Sequence, residues 1–204
     1  METKEIKRQR GRPPSYNHDE ALEKALQVFW EHGYEGASMA ELTAAMGMNK
    51  PSIYAAFGNK EELFRQALNK YMTGPVSYIQ EAMQQPTARQ AAEMLLTKSA
   101  ELLCGCDSPR GCMIVQGALT VGQGAELIKR ELVSYRQGFE SMLKKRFDQA
   151  KKESDLPKDA DTAKLAKYVA TIHQGMSVQA SSGAKKKELL DVVQMVMENW
   201  PGNA

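Results

Sequence analysis

Apolar residues recur along this chain at the spacing of helices, and nowhere as sustained alternation between hairpin turns. From Asn17 onward, Leu22, Ala25, Leu26, Phe29 and Trp30 fall on one helical face. Asn17 is placed to cap that helix, with Asp19 and Glu20 in its first turn facing the positive end of the helix dipole, and Gly33 to stop it. Ser38 and Glu41 have the spacing of a capping box and open a second, short helix through Met46, which Gly47 ends. Asn49 caps a third, with Pro51 tolerated in its first turn, running to Phe57. Asn59 with Glu62 begins a fourth, in which Leu63, Phe64, Ala67, Leu68 and Tyr71 keep the spacing until Gly74-Pro75.

Beyond this point the helices lengthen. The pattern predicts them over 87–104, 112–121, 125–152, 159–181 and 185–200, with a GCDSPRG loop at 105–111. The expectation is an all-α protein of about nine helices: an N-terminal three-helix module joined through a fourth helix to a larger C-terminal bundle. The predicted divisions are a basic arm over 1–16, the helix-turn-helix domain over 17–72 and the bundle over 73–204.

Composition narrows the class. The chain has 204 residues, 42% of them apolar and 25% charged, as in an ordinary soluble globular protein. No apolar run reaches membrane-spanning length, and METKEIKRQR lacks the apolar core of a signal peptide. Three cysteines make a poor disulfide framework, so a cytoplasmic protein with reduced thiols is expected. Net charge is +2 but uneven, at +3 over residues 1–16, −3 over 17–72 and +2 over 73–204.

The stretch 38–57 carries the chemistry. Two short helices around the turn Gly47-Met48-Asn49 are what a helix-turn-helix requires, the second helix being presented to the DNA major groove. Ile53 and Phe57 can face the core, leaving Pro51, Ser52 and Ala55 outward with Lys50 at the entrance. Small side chains allow close approach to base edges. Lys50 and Ser52 can hydrogen-bond guanine or phosphate, Ala55 can meet a thymine methyl, and the Tyr54 hydroxyl can reach a phosphate. Lys60 stands at the start of the fourth helix, whose free backbone N–H groups also favour an anion. Ser38 and Asn49, at two helix starts, complete the DNA-contact set. Spacing alone also fits a helical hairpin in a binding protein or enzyme that does not use DNA.

Residues 17–71 resemble the N-terminal domain of the TetR/AcrR family of bacterial transcriptional repressors. The likeness rests on Phe29-Trp30, Gly33-Tyr34, Ser38, Leu42, Ala45, Gly47, Ser52-Ile53-Tyr54, Phe57, Lys60-Glu61 and Leu63-Phe64, in fixed order. The remaining chain resembles the family in plan. The resemblance implies a homodimer joined through its last two long helices, a double-stranded operator DNA, and a pocket for an unknown small-molecule effector among the central helices. It implies no enzyme activity, cofactor or metal. One departure is Ala55-Ala56, where many relatives carry a bulkier polar pair. This shifts recognition toward Lys50, the arm and DNA shape.

In the arm, Arg10-Gly11-Arg12-Pro13 is similar to the core of an AT-hook, in which two arginines lie in a narrow A·T minor groove. A solvated terminus is the alternative. Cys104, Cys106 and Cys112 bracket the 105–111 loop. They can be a thiol sensor, a metal site lacking a nearby fourth ligand, or simply small apolar side chains. Met113, with Met94, Met142 and Met176, can line an adaptable ligand pocket or fill the core. The runs 144–146 and 185–187 read as solvated basic faces. Gly175, with small neighbours, and the stripe Leu189, Val193, Val196 and Trp200 are the expected dimer contacts.

Overall fold

The computed structural model describes residues 16–105, 109–120 and 125–201. They form ten helices and no strand: α1 (His18–Gly36), α2 (Met39–Met46), α3 (Lys50–Phe57), α4 (Lys60–Thr73), α5 (Tyr78–Met83), α6 (Ala88–Leu103), α7 (Met113–Thr120), α8 (Glu126–Lys152), α9 (Thr162–Ser181) and α10 (Lys186–Glu198). Residues 1–15 of the arm, Cys106 and the segment 121–124 lie outside the described residues.

Local chemistry sets most of the boundaries. The Asn17 side chain accepts from the N–H groups of Asp19 and Glu20, at 3.0 and 3.4 Å. Ser38–Glu41, Asn59–Glu62 and Thr87–Gln90 each form both halves of a capping box. At Gly33 the backbone turns to φ 70°, ψ 179°, a conformation that glycine takes without a Cβ penalty, and the helical trace resumes to Gly36. The predicted stop is therefore a break within α1.

α4 packs along α1. Phe29 meets Phe64 edge-on at 5.1 Å, and Trp30 meets Tyr71 at 4.7 Å. Lys70 Nζ reaches Asp19 at 2.8 Å, and the Arg65 guanidinium bridges from α4 to Glu131 on α8 at 2.8 Å. α7 sits against α1, α8 and α9, while α10 packs on α6. One continuous core runs from the N-terminal helices into the bundle.

Three expectations change. The tenth helix, α5, occupies a stretch read as connection; Ser77 makes no side-chain cap there, so no capping signal marked it. Arg146, read as part of a solvated run, is buried and donates Nη2–H to the carbonyls of Gln85 and Pro86, at 2.9 and 3.1 Å. Leu189, Val193, Val196 and Trp200 point into their own chain and are 2–4% exposed. The core against α6 takes up that stripe, so it is not a free dimer face. The outward apolar residues of these helices are Tyr168 and Val178 on α9 and Val192 and Met195 on α10, with Met195 63% exposed.

Candidate nucleic-acid interface and the bundle cavity

At the α2–α3 turn, Gly47 adopts φ 64°, ψ 27°, the left-handed conformation that ends α2 abruptly. Met48 N–H returns to the Thr43 carbonyl at 3.2 Å, and the Asn49 side chain accepts from Ser52 N–H at 2.9 Å to begin α3. Ile53 and Phe57 are buried as expected. Lys50, Pro51, Tyr54 and Ala55 form an exposed face, with Ser52 half-buried beside them. The Lys50 ammonium lies 5.8 Å from the centre of the Tyr54 ring. Lys60 lies over the Tyr34 ring at 4.6 Å; desolvation lowers its pKa, opposed by Glu35 and Glu41. The Ser38 hydroxyl oxygen accepts from Glu41 N–H, so Ser38 fixes the start of α2 whatever else it touches. Tyr16 and His18 pack on Phe57 at ring separations of 6.5 and 4.3 Å, so the chain enters the described structure beside α3. Arg10, Gly11 and Arg12 lie outside the described residues.

A cavity of about 290 Å³ opens among α4, α5, α6, α7, α8 and α9. Its wall includes Tyr78, Cys112, Arg136, Phe139, Met142 and His173. Met142 was expected there; Met113 is buried in the core and outside the lining, and so is Met176. Cys104 is half-buried, with Sγ 3.5 Å from the Ala184 carbonyl, and is not part of the wall. Among the described residues, no three His, Cys, Asp or Glu side chains converge as metal ligands.

Residues 111 and 112 tie the cavity to the N-terminal helices. Trp30 Nε1–H donates to the Gly111 carbonyl at 2.8 Å. Tyr71 O–H donates to Cys112 Sγ at 3.4 Å, and Cys112 N–H donates to Ser177 Oγ on α9 at 2.8 Å. A cavity-wall residue thus sits at the meeting point of α1, α4 and α9.

His173 is buried against Phe139, at a ring separation of 4.8 Å, and desolvation pushes its pKa down from 6.5 to about 4. Its folded pKa lies below its unfolded one, so the unfolded chain binds more protons in that window. The contribution is complete above pH 6.5 and is lost as pH falls toward about 4. His173→Phe should therefore hold its stability better than wild type between about pH 7 and pH 4, by roughly 3 kcal/mol at the acid end. Urea midpoints measured across that range check this; parallel curves for the two proteins would contradict it.

A support helix, a left-handed glycine turn and a second helix with a small-residue outward face define a helix-turn-helix DNA-binding module on an all-α body. The model for bacterial regulatory proteins of the tetR family matches residues 21–67. The HTH-type transcriptional repressor ComR of Escherichia coli is 31% identical over 96% of this chain and 94% of its own length. The repressor BdcR, also from Escherichia coli, is 27% identical over 97% of this chain and 96% of its own. Among solved structures, a cysteine mutant of the TetR family transcriptional regulator CifR, complexed with 26-base-pair operator DNA, is 38% identical. It superposes with a TM-score of 0.89, covering 93% of this chain and all of that one. The chain belongs to the tetR family of bacterial transcriptional regulators. Among the described residues no helix is long and apolar enough to cross a membrane.

Proposed function

We propose that this protein is a cytoplasmic homodimeric repressor that holds a palindromic operator and leaves it when a small molecule fills the bundle cavity. In this reading residues 17–72 bind DNA and residues 73–204 dimerise and take the effector. Lys50, Pro51, Ser52, Tyr54 and Ala55 enter the major groove, while Ser38, Asn49 and Lys60 address phosphates. The arm, leaving beside α3, places Arg10, Gly11 and Arg12 in the flanking minor groove. The observation that carries the reading is the junction at Gly111-Cys112. A ligand against Cys112 presses on the segment that holds Trp30 of α1 and Ser177 of α9. Occupancy then favours a different placement of the two recognition helices, which is linkage between effector and operator.

The exposed Tyr168, Val178, Val192 and Met195, with Gly175 open to close approach on α9, support an α9–α10 dimer face in place of the buried Leu189 stripe. Wild type should sediment as a dimer at micromolar concentration, and Val192→Lys/Met195→Glu as a folded monomer. The monomer should lose about a hundredfold in operator affinity, because its two half-sites are no longer bound as one unit. A monomeric wild type, or a monomeric variant with full affinity, would overturn the dimeric reading.

A second reading rests on Cys112 lining the cavity. Reversible thiol oxidation there would act on the same junction. Oxidant-dependent release that disappears in a Cys104/Cys106/Cys112→Ser variant would favour it.

A further inference from the structure

The cavity wall is mainly apolar. Among the described residues no Asp, Glu or Lys lines it, and Arg136 is its sole charged residue. Arg136 Nε is buried and has no hydrogen-bond partner; the same is true of His173 Nδ1. His173 is 7% exposed, and burial keeps its ring neutral at neutral pH, so it can carry its proton on Nδ1 and donate. Arg136 comes from α8 and His173 from α9, two helices packed along each other, and both belong to the same wall.

Buried donors left without acceptors are rare because each forfeits its bonds to water. Two in one apolar cavity mark the place of a missing acceptor. The guanidinium is a permanent cation with no carboxylate among the described wall residues to balance it. A neutral acceptor would satisfy hydrogen bonding and leave that charge uncompensated. A carboxylate does both, since its two oxygens can accept from both donors. An amine-bearing ligand would meet a like charge in a low-dielectric site.

We infer that the cavity takes an apolar molecule carrying a carboxylate, its oxygens seated on Arg136 and His173 and its body against Phe139, Met142 and Tyr78. The inference rests on reading the cavity as the effector site, and it assigns that effector's chemical class. An apolar body of about six to ten carbons suits a cavity of this size.

The test is calorimetric titration of the full-length protein with octanoate and hydrocinnamate, each against its alcohol, and with octylamine. The acids should bind about tenfold to a hundredfold more tightly than their alcohols, with the amine weakest. In Arg136→Met each acid should fall to the affinity of its alcohol, while Arg136→Lys, which keeps the charge, should retain part of the preference. In His173→Phe, which keeps a ring against Phe139, the preference should shrink. Equal binding of acid and alcohol to wild type would overturn the inference and leave the effector reading standing. An acid preference that survives Arg136→Met would overturn the seating on Arg136. No binding by any of the five would overturn both the inference and the effector reading of this cavity.

Discussion

Ala55→Glu should abolish specific operator binding, with affinity falling by about a hundredfold or more toward the non-specific level. Ala55 is exposed on α3, beside Tyr54 and one turn beyond Lys50 and Pro51. In the proposed complex a carboxylate there would stand where the helix approaches base edges and phosphates. It would add a negative charge in the field of the DNA phosphates and more bulk than the methyl group it replaces. The module has little charge to offset this, since residues 17–72 carry net −3. The fold should be indifferent: Glu is a good helix former, costing only a few tenths of a kcal/mol relative to Ala at an exposed site. Fluorescence anisotropy with labelled operator, paired with a thermal melt, separates the two effects. Affinity unchanged in a variant with a wild-type melt would remove the outer face of α3 from the contact surface.

The largest effect on stability should come from Trp30→Ala, at roughly 3–5 kcal/mol. Trp30 is 2% exposed, meets Tyr71 edge-on at 4.7 Å and donates to the Gly111 carbonyl. Truncation opens a cavity between α1 and α4 and strips a buried carbonyl of its donor. Because that carbonyl belongs to the segment leading into α7, the damage spreads from the N-terminal helices into the bundle. Trp30→Phe keeps much of the ring packing and removes the hydrogen bond alone, so it should cost less, about 1–3 kcal/mol. Urea unfolding reads both. Equal losses for the two variants would show that the link to Gly111, not ring packing, holds the junction, and a Trp30→Phe as stable as wild type would show the reverse.

The N-terminal module was legible in the sequence because short-range chemistry writes its boundaries. Asn17, Ser38 with Glu41, Asn49 and Asn59 with Glu62 each cap a helix through a bond to a residue two or three positions on. α5 has no such mark. The Leu189 stripe was legible as apolar, but periodicity does not say whether a stripe meets its own chain or a second copy. Here α6 takes it, and Val192 and Met195, each one residue before a member of that stripe, carry the free surface.

Arg136 and His173 were missed as cavity residues, yet each left a trace. Arg136 follows Leu132 by four and precedes Phe139 by three, inside the apolar stripe of α8. His173 stands in the same relation to Val169 and Met176 on α9. A polar residue at a core-facing position is a candidate site when its neighbours in the stripe are apolar. The stripe alone could not show that both face one cavity, because that depends on how α8 and α9 pack.

The central claim, that α3 of this protein reads an operator as half of a symmetric pair, is tested most directly by selecting duplexes from a random pool with the full-length protein. The expected product is one family of sequences containing two inverted half-sites, with the A·T-rich outer flanks that the proposed minor-groove seating of Arg10 and Arg12 requires. The family should vanish when the selection is repeated with Ala55→Glu. A pool that stays random under wild type, or the same family recovered with Ala55→Glu, would contradict the account.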